Sequence, residues 1–136
     1  MIVYVTRREV FSAAHRLHND DFSEEMNQEV FGKCNNPNWH GHNYTLEVVV
    51  AGEPDAQTGF VIDLKVLKKI LKDNIIKAVD HRNLNLDVDF MRGLNPTAEN
   101  IAVQIWKQLV DKIPSGKLYS VKIYETENNY AEYKGE

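Results

Sequence analysis

The sequence predicts an α+β domain: an antiparallel sheet with two helices packed on one face. Three observations carry this. Segments near both ends alternate apolar and polar residues with the two-residue period of a strand. Two segments in the middle repeat apolar residues at helical spacing. The order is two or three strands, then the helices, then two strands. That grouping differs from the strict strand–helix alternation of a parallel sheet.

Ile2 to about His15, rich in Val, Tyr, Thr and Phe, reads as the first strand, with Phe11, Ala13 and His15 in one phase. Ser23 to Gly32 reads as a short helix. Ser23 suits the N-cap, Glu24 and Glu25 suit the positive end of the dipole, and Gly32 suits the stop. Asn43 to Ala51 is a second strand with Leu46, Val48 and Val50 on one face. After the turn Gly52–Asp55, Gly59 to Ile62 reads as a short returning strand. Asp63 caps a helix from Leu64 to about Val79, whose lysines form the wet face. Asp80 to Pro96 has no period, and irregular stretches of that length in small domains are often functional. Thr97 starts the second long helix, which carries Ile101, Ile105, Trp106 and Leu109 and ends before Pro114. Leu118 to Thr126 and Tyr130 to Lys134 are the last strands, joined by a turn at Asn128–Asn129.

The chain has 136 residues, 26% of them charged and 43% hydrophobic, which suits one globular domain over 1–136. No apolar run approaches the roughly 18 residues of a membrane span. Sixteen basic against twenty acidic residues give a net charge of −4, which disfavours a broad nucleic-acid surface. The single cysteine, Cys34, allows no intrachain disulfide and fits a reducing, cytoplasmic setting.

Chemistry concentrates in Cys34-Asn-Asn-Pro-Asn-Trp-His40-Gly41-His42. His40 and His42, two apart at a strand start, point to one face, close enough for one metal. If the first two strands pair, His15 completes a three-histidine set. Three nitrogens on zinc leave the fourth position of a catalytic site open. Two alternatives stand beside this. Cys34 can close a structural Cys-His₃ site, and His18 competes with His15 but has the opposite strand phase. Asp80-His81 is a carboxylate–imidazole pair able to move protons. Glu125 continues the apolar phase of Tyr119, Val121 and Ile123, where a carboxylate needs a partner such as a ligand with two adjacent N–H donors. Thr97 and Glu99 open a helix whose free backbone N–H groups favour an acceptor.

Taken together, Phe11–Leu17, Gly32–Tyr44, Asp80–Asn85, Pro96–Asn100, Tyr124–Thr126 and Tyr133–Glu136 resemble, in order, the motifs of the 6-pyruvoyl tetrahydropterin synthase family. The resemblance covers nearly the whole chain. It implies the T-fold and a homohexamer of two stacked trimers with sites between subunits. It also implies conversion of 7,8-dihydroneopterin triphosphate to 6-pyruvoyl tetrahydropterin with release of triphosphate. By the same resemblance, His15, His40 and His42 hold zinc. Cys34 moves side-chain protons, aided by Asp80 and His81, and zinc and His81 favour its thiolate. Glu125 anchors the pterin, with Thr97 and Glu99 near it. Arg16 and Lys33 flank the motifs and are candidates for the triphosphate. A related branch, the 6-carboxytetrahydropterin synthases of queuosine biosynthesis, more usually has a shorter spacer than Asn35–Trp39 between cysteine and His-Gly-His. Trp39 and Ala98 stand where the family often has glycine and a hydroxyl residue. A non-catalytic pterin-binding module is the rival from another class, and the retained Cys34, Asp80 and His81 speak against it.

Overall fold

The computed structural model describes all 136 residues. Strand β1 (Val3–His15) is followed by helix α1 (Glu24–Phe31) and one 3₁₀ turn (Gly32–Asn35). Strand β2 (His40–Gly52) leads to α2 (Leu64–Leu71), a wider π turn (Lys72–Ile76) and a last helical turn α3 (Lys77–Val79). A two-residue strand β3 (Arg82–Asn83) precedes α4 (Ala98–Leu109), β4 (Lys117–Thr126) and β5 (Asn129–Tyr133).

The sheet order is β3-β1-β2-β4-β5. The four long strands are antiparallel, and β3 adds a short parallel contact to Ala13 and Ala14 of β1. The helices lie on one face, with α2 against β1 and α4 against β4 and β5. The core between them holds Phe11, Leu46 and Val48 from the sheet and Leu67, Leu71, Ile75, Ile101 and Ile105 from the helices. Asp63 and Thr97 cap their helices as the sequence predicts. The Asp63 carboxylate accepts from Lys65 N and the Thr97 hydroxyl from Asn100 N.

The structure corrects two readings. Gly59–Ile62 is a loop, not a strand. The Asp55 carboxylate gathers the amides of Gln57 and Thr58, and Gly59 N bonds back to Asp55 O, so the chain closes on itself before it can join a ladder. Val61 and Ile62 then plug into the core, and Ser115 Oγ donates to Val61 O at 2.7 Å. Tyr119 also leaves the phase of Val121 and Ile123. β2 pairs Val49 with Ser120 and Val50 with Leu118, so Tyr119 is the extra residue of a β-bulge. It turns outward and meets Tyr4 edge-on at 4.7 Å.

Candidate metal centre

Pairing of β1 with β2 sets His15 opposite His40 and Ala13 opposite His42. The three imidazoles therefore share the core-side face at one end of the sheet. Their ring centroids lie 4.5, 4.9 and 5.1 Å apart. His15 is wholly buried, and its Nδ1 meets Pro96 O at 2.8 Å. A backbone carbonyl there selects the Nδ1–H tautomer and leaves the Nε2 lone pair free. Burial lowers His15 and His40 below the ordinary imidazole range, which favours the neutral, ligating form.

Glu125 joins them from β4. Its Oε1 lies 3.1 Å from His42 Nε2 and 4.0 Å from His15 Nε2. One ligand atom from each of His15, His40, His42 and Glu125 falls within 4.8 Å of all the others. Three buried ring nitrogens here, His15 Nε2, His40 Nδ1 and His42 Nε2, have no hydrogen-bond partner. Buried polar atoms are normally paired, so converging orphans with a carboxylate fit a bound cation. This group can hold a metal ion.

Cys34 is not among the converging ligand atoms. It lines a pocket with Gln28, Lys33, His40 and His42. Burial, then the charge of Glu125, raises its thiol pKa. The protein alone therefore favours the protonated thiol, and a cation at the histidines would act in the opposite sense. His18 stands apart from the cluster, with Nδ1 2.7 Å from Asn35 Oδ1 and Nε2 3.1 Å from Asp20.

Asp80 and His81 are not among the residues that line the Cys34 pocket. They sit at the outer edge of β1, where the Asp80 carboxylate accepts from Ser12 N at 2.9 Å and His81 N donates to Ser12 O at 2.6 Å. The Ser12 amide, and to a lesser extent His81, hold Asp80 below the usual carboxylate range. His81 Nδ1 lies 3.1 Å from Asp80 Oδ1, and its side chain is 82% exposed. Its φ of 59° turns the chain sharply between α3 and β3.

Glu99 and Glu125 line a second pocket with Thr126, Asn129 and Tyr130. Thr97 holds the start of α4, immediately after the Pro96 carbonyl that orients His15. Of the two basic candidates, Lys33 lines the Cys34 pocket. Arg16 donates through Nε to Asn35 O and faces Glu24, Glu25 and Glu29. Two neighbours of the site escaped the sequence reading, Gln28 and Tyr44. Tyr44 shares the strand phase of His42, so its place was legible in the period.

Three converging imidazoles, a carboxylate and a neighbouring thiol on an α+β sheet define a protein with a candidate metal centre. The family model of 6-pyruvoyl tetrahydropterin synthase matches residues 4–136, and the chain belongs to that family. It is 51% identical over 132 residues to the human 6-pyruvoyl tetrahydrobiopterin synthase, covering 97% of this chain and 91% of that protein. A 6-carboxy-5,6,7,8-tetrahydropterin synthase of Rickettsia typhi is 31% identical, covering 96% of this chain and 99% of that protein. The solved 6-pyruvoyl tetrahydropterin synthase of Caenorhabditis elegans superposes with a TM-score of 0.94 at 44% identity, covering 100% of this chain and 97% of that one.

Proposed function

We propose that this chain is a zinc-dependent lyase that converts 7,8-dihydroneopterin triphosphate to 6-pyruvoyl-5,6,7,8-tetrahydropterin with release of triphosphate, a step of tetrahydrobiopterin synthesis. The observation that carries this is the convergence of His15, His40, His42 and Glu125 beside Cys34. The 51% identity to the human synthase supports the substrate. His15, His40 and His42 would hold the zinc, which when bound would supply Lewis acidity toward the side-chain oxygens of the substrate.

The remaining work falls to the chain itself. Cys34 Sγ takes and returns the side-chain protons, and His81, charge-stabilised by Asp80, relays them. Glu125 receives the guanidine-like edge of the pterin with paired hydrogen bonds, and Glu99 and Thr97 complete that pocket. Asp80 and His81 do not line the Cys34 pocket of their own chain, so they act in the site of a neighbouring copy. A homohexamer built as a dimer of trimers provides such neighbours. The outer edge of β1, paired by β3 only at Ala13 and Ala14, and the exposed Ile2, Tyr4 and Val10 support assembly through the sheet. The whole chain acts as one domain, and its lone cysteine suits the cytoplasm.

The test is a product assay. Zinc-loaded protein is given 7,8-dihydroneopterin triphosphate without reductase, and products are identified by mass spectrometry. A pyruvoyl pterin with triphosphate is expected. A carboxy pterin with acetaldehyde would assign the chain to the queuosine branch. Tight pterin binding without turnover would make it a binding module.

A further inference from the structure

Tyr44 lies two residues after His42 on the same face of β2. Its ring stacks on Phe11, with centroids 5.0 Å apart and planes at 12°, and meets His42 and His15 edge-on at 5.6 and 5.9 Å. Thr45 and Tyr124 form the last pair of the β2–β4 ladder, and Tyr44 and Glu125 are the next residue on each strand. The residue is wholly buried, yet its hydroxyl has no hydrogen-bond partner. Phenylalanine would give the same packing without a buried unpaired polar atom.

Glu125 is the complementary case. Its 3.1 Å approach to His42 Nε2 lacks hydrogen-bond alignment, since that nitrogen remains unpartnered. A nitrogen whose lone pair goes to a metal cannot donate to Glu125 at all. A buried donor without an acceptor thus lies on the strand next to a quarter-exposed carboxylate that no protein donor holds.

We propose that Tyr44 is the positioning residue for Glu125: its hydroxyl donates to the Glu125 carboxylate when the histidines hold a metal, and so fixes the group that receives the pterin. The hydrogen bond stands on the two side chains alone, whereas its consequence for pterin rests on the function proposed above.

The test uses Tyr44→Phe, Glu125→Gln and the double variant, all zinc-loaded, with biopterin as the probe. Removing one oxygen leaves the ring packing intact. Tyr44→Phe is expected to keep its zinc, to bind biopterin about tenfold more weakly in fluorescence quenching, and to add no further loss in the Glu125→Gln background. Binding equal to the parent, or losses that add, would overturn the proposal. Near-UV difference spectra give an independent readout. Glu125→Gln should shift the tyrosine absorbance of the zinc-loaded protein, and the shift should vanish when Tyr44 is phenylalanine. Unchanged spectra would overturn the hydrogen bond. If the parent protein binds no biopterin, the pterin assignment fails, while the spectra still decide the bond.

Discussion

The histidine cluster and the Asp80–His81 corner flank the same end of β1 but are built on opposite terms. The cluster is internal. His15 is wholly buried, its tautomer is set by Pro96 O, and its partners are fixed by the β1–β2 register. The corner is external. Its backbone is pinned to Ser12, yet the His81 imidazole, paired only with Asp80, is 82% exposed. A ligand set must be preorganised, because a metal tolerates little error in donor position. A proton relay to another molecule must instead face outward. The difference teaches that the candidate ligand set is packed inside one chain while the Asp80–His81 pair faces outward from it.

The sharpest way to break this comparison is to remove a member of the cluster. His42→Ala should lower zinc affinity by more than about a hundredfold and abolish turnover, measured by metal analysis and product assay. Retained zinc would mean that the cluster is not the metal site. Cys34→Ala comes next, with turnover expected to fall about 10²–10⁴-fold while bound zinc stays constant. Loss of zinc in that variant would make Cys34 a ligand.

Mixing separates the two regions most directly. Cys34→Ala and His81→Ala proteins are each expected to be inactive. Refolded together, they should regain part of the activity, because some sites then join an intact Cys34 to an intact His81 from another copy. No recovery would place both groups in one chain.

The smallest effect concerns stability. Asp80 has a folded pKa below its unfolded value, so its contribution is complete above the ordinary carboxylate range. It is lost as pH falls through the lowered folded value. Acid titration of thermal stability should therefore be shallower for Asp80→Asn, with the variant furthest below the parent at neutral pH and the two converging in acid. Equal slopes would show that the Ser12 contact adds nothing measurable.

The sequence by itself determined what depends on local period. His40 and His42 share a face because strand side chains repeat every second residue, and the same period sets His15 rather than His18 in phase with Phe11 and Ala13. The caps at Ser23, Asp63 and Thr97 were legible because a cap is a short-range hydrogen bond. Tertiary structure decided what depends on register and packing. The bulge at Tyr119 and the self-closing Asp55 turn broke strand phases that looked continuous. Packing also set Glu125 among the histidines and pinned Asp80 to Ser12 at the edge of β1. A period fixes which face a side chain occupies. Distances across strands, and the burial that moves a pKa, exist only once the sheet has closed against its helices.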